Sequence, residues 1–489
     1  MDRAHSWEKL ALPLLLTGAA ILSVLGANSA LRSDEVWSVQ TVHNSFSQMM
    51  AQLKDDVHPP LYYLLLFPWV RVFGWSEIAI RGLSGLLFVL SVLATYKWVD
   101  GLNGPHAALL AGAILMTCPL ALVAAQMARM YSLLMLASVL STWAYTNVFV
   151  EQKRSWLAFW IAANILGTMT HIWFFFLLFA QGAHWLLRRR KDSLRFVFAA
   201  AASLAPYAVL WLPILIKQIR KTGEATAWLQ VPGISAIATT AFFYSGVVAL
   251  ALPLLVYRWF LGKQDRSPAI GGLLLMLIVA LAVPFAISQV KPVFYSRFTV
   301  IGLPLFSVAL ATWLGPMSTW RTSLFLTTIA GAGCAYAIAY PPCDAQTAVR
   351  FLNSHEADGG TAVFTALSRA PIDYYGRGSL PHLAETSFPA EIDTHPGYEG
   401  NVLAKDRKAR YEKEAYELVQ VLKQRHGRIF LFQGFHPELD QLLVTRLSRE
   451  FHALQDQTLT CKSTNCYFTS VTVFEPADLM TDSSIDIKP

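Results

Sequence analysis

The chain has 489 residues, 54% of them hydrophobic and only 15% charged, where a soluble domain carries about 25% charged residues. Its net charge of +7 and pI near 9.1 would raise nucleic acid as a partner for a soluble protein. Here the basic residues sit mostly in short loops between apolar runs, so membrane topology accounts for them and no nucleic-acid partner is expected. The apolar excess runs from about residue 10 to residue 340, and from Pro341 onward charges, glycine and polar residues return.

Read in chain order, the apolar runs predict about eleven transmembrane helices, near 10–30, 78–98, 105–123, 130–150, 156–170, 172–187, 195–216, 234–257, 269–287, 297–315 and 323–340. The first run is longer than the apolar stretch of a secretion signal and is followed by further spans, so it reads as a retained helix. Residues 31–77 form a long first loop rich in Trp, Phe and Met. Within it Val36 to Leu53 has the apolar spacing of a helix lying on a membrane surface. The Pro59-Pro60 pair, which lacks two N–H donors, ends that stretch. Leu61 to Val72 is apolar but about twelve residues long, too short to cross, and reads as an interfacial or re-entrant helix.

Orientation follows from the basic loops. Arg188-Arg189-Arg190-Lys191 is the densest cluster, with Lys153 and Arg154 in another loop and Arg258, Lys263 and Arg266 in a third. Setting all three on the cytoplasmic side puts the N-terminus inside and the first loop and the tail outside. Lys217, Arg220 and Lys221 fall on the outer side and run against this count.

The tail reads as a soluble α/β domain. Thr361–Thr365, Arg428–Gln433 and Tyr467–Phe474 have the β-branched and aromatic content of strands, while Lys405–Gln424 and Pro437–Glu450 read as helices. It shows no glycine-rich phosphate loop, metal-ligand cluster or nucleophile elbow. The fold class is therefore a polytopic α-helical membrane protein. Its membrane domain covers 1–340, including the outer loop 31–77, and an extracytoplasmic α/β domain covers 341–489. Of the five cysteines, Cys118 and Cys334 lie in apolar runs as packing residues. Cys461 and Cys466 flank a short polar loop and form either a local disulfide, if that face is oxidising, or two separate thiols. Cys343 has no evident partner.

Four polar elements stand at the outer mouths of the spans. Asp34-Glu35 follows the first helix directly. Two carboxylates beside a bilayer line a polar cavity more readily than they face lipid, and one could serve as a general base toward a hydroxyl. Alone, the pair also reads as a solvated loop. Next comes Asp55-Asp56-Val57-His58-Pro59-Pro60-Leu61-Tyr62-Tyr63, where the prolines present His58 rigidly. Tyr62 or Tyr63 could add a hydrogen bond there, or act as ordinary interfacial anchors.

The third element is Gln126-Met127-Ala128-Arg129-Met130-Tyr131, whose arginine could snorkel or bind a phosphate with its planar fork. The fourth is Lys291-Pro292-Val293-Phe294-Tyr295-Ser296-Arg297-Phe298, two cations and a tyrosine at one mouth, suited to a phosphate or pyrophosphate. His171, at the turn between the fifth and sixth spans, is a weaker candidate. Together these elements suit a site that takes a lipid phosphate from the bilayer and an acceptor from outside.

An Asp-Glu pair after the first helix, a His-Pro-Pro-Leu-Tyr-Tyr turn, an Ala-Arg-Met-Tyr helix start and a late arginine resemble the GT-C superfamily of membrane glycosyltransferases. The similarity is to the bacterial branch related to dolichyl-phosphate-mannose–protein mannosyltransferases and, more distantly, to the lipid A aminoarabinose transferases. It covers roughly residues 10–340 and leaves the tail unmatched. The resemblance implies transfer of a hexose or pentose, with inversion, from a polyprenyl-phosphate carrier to a glycan, lipid or protein acceptor at the outer face of the bacterial cytoplasmic membrane. It implies Asp34 as catalytic base and Glu35 and His58 on the acceptor side. Arg129 and Arg297 would hold the carrier phosphate, with Tyr131, Lys291 and Tyr295 beside them, and Tyr62 and His171 as further candidates. Many relatives carry a glutamate where this chain has Met127, so no metal ligand set is expected and a divalent ion is left open. The competing class is a lipid or glycan transporter. Against it stand the scarcity of midplane charges and the lack of a visible internal repeat.

Overall fold

The computed structural model describes residues 3–55, 58–188, 193–221, 229, 231–246, 268–314, 328, 331, 335, 345–354, 360–365, 368–376, 383–390, 405–434, 437–457 and 468–476. Cys334, Cys343, Cys461 and Cys466, the basic loop 258–266, most of the expected span 323–340 and the second half of 234–257 lie outside these residues. The chain forms two compact units. One comprises Met1–Asn28, Thr41–Gly223 and Leu229–Ala339, the other Ser29–Gln40, Glu224–Trp228 and Tyr340–Pro489.

The first unit is helical. It contains α1 (Arg3–Val24), the last turn of α2 (Ser33–His43), α3 (Phe46–Asp55), α4 (Leu61–Phe73), α5 (Glu77–Thr117), α6 (Pro119–Ala125) and α7 (Tyr131–Tyr145). It continues with α8 (Leu157–Thr168), α9 (Phe174–Leu187), α10 (Ser193–Leu210), α11 (Leu212–Lys221), α12 (Ile234–Ser245), α13 (Pro268–Ile287) and α14 (Leu303–Leu314). Among the described residues four segments are long and apolar enough to cross a membrane: Glu77–Thr117, Tyr131–Val150, Ile270–Ile287 and Ser296–Leu314. The pair α10 and α11, bent by 52°, would make a fifth. The other expected spans are shorter here or fall outside the described residues. The protein is a polytopic membrane protein.

Local chemistry sets the breaks. Ser76 caps α5 by accepting from the Ala79 N–H, a hydroxyl satisfying one orphan donor of the first turn. The runs expected at 78–98 and 105–123 join as α5, which kinks where Gly104 takes φ +80° ahead of Pro105. The second run then stops at Thr117, because Pro119 restarts the chain as α6. The surface helix expected over Val36–Leu53 is two helices. Ser45 and Gln48 form a reciprocal cap, with Gln48 Oε1 accepting from the Ser45 N–H (3.1 Å) and Ser45 Oγ from the Gln48 N–H (3.4 Å), and this starts α3 afresh. Val36, Val39 and Val42 are buried, so the α2 face does not lie on a membrane surface.

Four helices share a polar network in their apolar interior. Asn164 on α8 accepts from Ser141 on α7 (2.6 Å) and donates to Ser203 on α10 (3.3 Å), while Gln181 on α9 donates to Ser141 (2.9 Å) and accepts from Trp160 (3.0 Å). With no water in a bilayer core, such reciprocal pairing holds helices in register.

The second unit is an α/β sandwich. Its five strands are β1 (Thr361–Thr365), β2 (Ala384–Phe388), β3 (Ile429–Gly434), β4 (Phe451–Gln457) and β5 (Phe468–Pro476), in the order β2-β1-β3-β5-β4. β1 pairs parallel with β2 and β3, and β5 antiparallel with β3 and β4. Alternation along the strands sends Phe364, Phe430 and Phe432 to one face, against α15 (Ala345–Ser354) and α16 (Arg369–Gly376). It sends Val363, Ile429 and Leu431 to the other, against α17 (Lys405–Gln424) and α18 (Pro437–Leu447). The expected strands and helices are present within a few residues. Of the expected Pro437–Glu450 helix, α18 ends at Leu447 and is followed by a turn into β4.

Candidate active site

The start of α2 belongs to the second unit. The Arg32 carbonyl accepts from the N–H groups of Glu35 (2.9 Å) and Val36 (2.8 Å). The Glu35 carboxylate folds back to accept from the Arg32 N–H (3.1 Å) and is fully buried. Glu35 thus closes the helix start from below, and Asp34, next to it, is only half-buried. The Leu31 N–H donates to the Tyr375 hydroxyl (2.7 Å), which anchors this segment within its unit.

The remaining candidates lie in the helical unit, and one end of the bundle gathers most of them. Arg129 sits in the tight turn between α6 and α7 and is 7% exposed. Gln126 fixes the entry to that turn, donating to the carbonyls of Leu22 (2.9 Å) and Leu25 (2.6 Å) at the end of α1. The Arg129 guanidinium donates to the Tyr63 hydroxyl (3.1 Å) and to His58 Nε2 (3.0 Å). An arginine can only donate, so in this pairing the His58 ring proton resides on Nδ1. The Arg129 carbonyl accepts from Ser84 Oγ on α5 (3.4 Å), and Ser84 is bonded in turn to the Tyr62 hydroxyl (2.9 Å). Tyr63 therefore holds the side chain of Arg129, and Tyr62, through Ser84, holds its backbone.

The His-Pro-Pro turn is docked by the Leu61 N–H, which donates to the Met169 carbonyl at the end of α8 (3.2 Å). That bond brings His58 to His171, with ring centroids 5.6 Å apart. His171 is 1% exposed, and Phe298 and Tyr131 pack against it at 4.9 and 6.3 Å. Burial first, then the neighbouring His58 and Arg129, holds the His171 imidazole well below its ordinary range, so the ring is neutral. Phe298 links to Tyr295 (5.3 Å), and the Arg297 guanidinium lies 5.5 Å from the Tyr295 ring.

Of the predicted residues, His58, Tyr62, Arg129, Tyr131 and His171 gather around one centre, and Tyr295 and Arg297 join it through Phe298. Lys291 does not: it is exposed in the turn after α13, and among the described residues no side-chain hydrogen bond, ion pair or ring contact ties it to the cluster. Asp34 and Glu35 belong to the other unit. Ser84 had no sequence signal, being one serine inside an apolar span, and Phe298 reads from sequence as a core aromatic. No group of three or more His, Cys, Asp or Glu suited to a metal occurs among the described residues.

This arrangement, a polytopic bundle with a buried arginine–histidine–tyrosine cluster at one end, has the fold of the GT-C membrane glycosyltransferases, as the sequence resemblance implied. ArnT from Cupriavidus metallidurans bound to undecaprenyl phosphate is similar at TM-score 0.55 and 12% identity, over 97% of this chain and 99% of that one. Its apo state is similar at TM-score 0.56 and 13% identity, over 98% and 99%. The oligosaccharyltransferase AglB from Archaeoglobus fulgidus, in complex with an inhibitory peptide and a dolichol phosphate, gives 0.48 at 11% identity, over 100% and 76%. At these identities the likeness to ArnT defines the fold. No family model and no curated protein matches the chain.

Proposed function

We propose that the protein is a glycosyltransferase of the bacterial cytoplasmic membrane. It takes a hexose or pentose from a polyprenyl-phosphate carrier and delivers it, with inversion, to a glycan, lipid or protein acceptor at the outer face. The observation that carries this reading is the buried Arg129 fork, held by Tyr63 and His58, in a fold shared with a protein solved with undecaprenyl phosphate.

In this mechanism the acceptor oxygen attacks the anomeric carbon as the carbon–oxygen bond to the carrier phosphate breaks, and the acceptor proton passes to Asp34. The phosphodiester carries one negative charge, and breaking the carbon–oxygen bond leaves a second on the departing phosphate. The help it needs is therefore cationic hydrogen bonding, supplied by Arg129 and Arg297 with Tyr131 and Tyr295 beside them. Lys291, in its exposed turn, would meet the phosphate on approach. Glu35 serves the acceptor side by fixing the backbone that presents Asp34, and His58 serves it through the face not bonded to Arg129. The α/β unit stands in this reading as the extracytoplasmic domain.

Asp34→Asn is expected to leave the protein folded and membrane-inserted and to abolish sugar release from a polyprenyl-phosphate sugar. Undiminished transfer in that variant removes Asp34 from the mechanism. Sugar-lipid flux across reconstituted vesicles without bond cleavage would replace the enzyme with a transporter.

A further inference from the structure

His171 carries a feature that the cluster around Arg129 does not explain. Its Nδ1 accepts a hydrogen bond from the Trp173 backbone N–H (3.1 Å). A neutral ring that accepts at Nδ1 carries its proton on Nε2. That Nε2 is buried and has no hydrogen-bond partner among the described residues. A buried N–H without an acceptor is rare, because it forfeits the bond it made to water. The turn holds the ring firmly in this state. The Gly167 carbonyl accepts from the N–H groups of Thr170 (3.0 Å) and His171 (3.1 Å), and Phe298 packs on the ring.

The geometry points to His171 as a neutral hydrogen-bond donor to an anionic phosphate oxygen that enters beside Arg129 and completes the Nε2–H. The chemistry of the surroundings selects the ligand. His58 and Phe298 leave no acceptor of their own on Nε2, and the guanidinium of Arg129 next to His58 favours a negative oxygen over a neutral one. A neutral donor also suits a phosphate that must leave again, since it adds direction to the site without a further full charge. The inference rests on the reading that the site receives a carrier phosphate, and it adds a phosphate-binding residue to that reading.

The test is binding of undecaprenyl phosphate, undecaprenol and inorganic phosphate to the full-length protein in lipid nanodiscs. The variants are His171→Phe, which keeps the ring shape and removes the donor, and His171→Gln, which keeps an N–H. His171→Phe is expected to lose about tenfold in affinity for undecaprenyl phosphate, with undecaprenol binding unchanged and His171→Gln recovering part of the loss. Inorganic phosphate competing as well as the lipid would make the ligand a free phosphate, and weak competition would make it the lipid headgroup. Both keep His171 as the donor.

A second measurement needs no substitution. In protein labelled with nitrogen-15 histidine, one Nε2–H proton should move downfield when undecaprenyl phosphate is added and stay in place with undecaprenol. Unchanged affinity in His171→Phe, or an Nε2–H that ignores the phosphate lipid, overturns this inference while leaving the transferase reading intact. An unaltered protein that binds no undecaprenyl phosphate overturns both. Phosphate binding that depends on His171 in a protein that transfers no sugar removes the transferase reading alone.

Discussion

At the scale of the residue, the two tyrosines after the Pro-Pro pair divide their work on Arg129. Tyr63 meets the guanidinium, while Tyr62 reaches the Arg129 carbonyl through Ser84. All four side chains are buried, so none of these bonds is exchanged freely with water. Arginine suits this role because its planar fork meets two acceptors at once. A lysine at 129 keeps the charge but cannot span both the Tyr63 hydroxyl and His58 Nε2. Hydrogen bonds to a charged group are worth about 1.5–3 kcal/mol each. Arg129→Lys should therefore lower kcat/KM for sugar transfer by at least about tenfold. Tyr63→Phe, which removes one arm and keeps the ring, should cost less and appear mostly in KM for the lipid-linked donor. Steady-state kinetics with a polyprenyl-phosphate sugar separates the two. A Tyr63→Phe variant with a larger loss than Arg129→Lys would mean that Tyr63 touches the substrate itself.

At the scale of the element, the turn between α8 and α9 presents His171, and it closes because residue 167 is glycine. A Cβ there would fall inside the Phe174 ring, closer than real Cβ atoms approach. Gly167→Ala should push α9 away from α8 and destabilise the bundle by about 1–3 kcal/mol, the usual cost of overpacking. Sugar transfer should fall with it, because His171 rides on the same turn. Thermal unfolding in detergent reads the first effect, and Gly167→Ala combined with Phe174→Leu should restore much of it. If Gly167→Ala unfolds like the unaltered protein, the close approach is not what shapes the turn.

The same scale shows what the sequence could tell. Arg129 and His171 were legible as polar interruptions in apolar runs, where an ionisable group is costly without a purpose, and His58 by the proline pair that follows it. Phe298 and Ser84 were not, since an aromatic or a small hydroxyl in an apolar run is also ordinary packing. Helix positions followed from the length of apolar runs, but their ends depended on single caps. The Ser45–Gln48 pair that divides Val36–Leu53 was written in the sequence yet masked by continuous apolar spacing. β2, with the sequence Ala-Glu-Thr-Ser-Phe, and β4, with its run of polar residues, have too little alternation to announce themselves. Their pairing to β1 and β5 comes from the sheet rather than from local preference.

At the scale of the whole molecule, the orientation of the helical unit decides which compartment reaches the cluster. Tyr131–Val150 is long enough to cross a membrane and has Arg129 just before it and the exposed Glu151 just after it. A single crossing places these two ends on opposite faces. The loop after Val150 carries Lys153 and Arg154, and α9, which ends at Leu187 on the side away from His171, is followed by Arg188. The proposed orientation, argued from this charge bias, has that face toward the cytoplasm. The turn after α13 lies at the other end, where Phe294 packs on Trp173 at 5.7 Å and Val290 is 91% exposed. After replacement of the five native cysteines, Val290→Cys should react with a membrane-impermeant maleimide from outside intact cells. Glu151→Cys should react only once the membrane is opened. The opposite pattern would turn Arg129, His58 and His171 toward the cytoplasm. A reaction drawing its acceptor from the outer face would then have no access to them, whatever the affinity of the cluster for a phosphate.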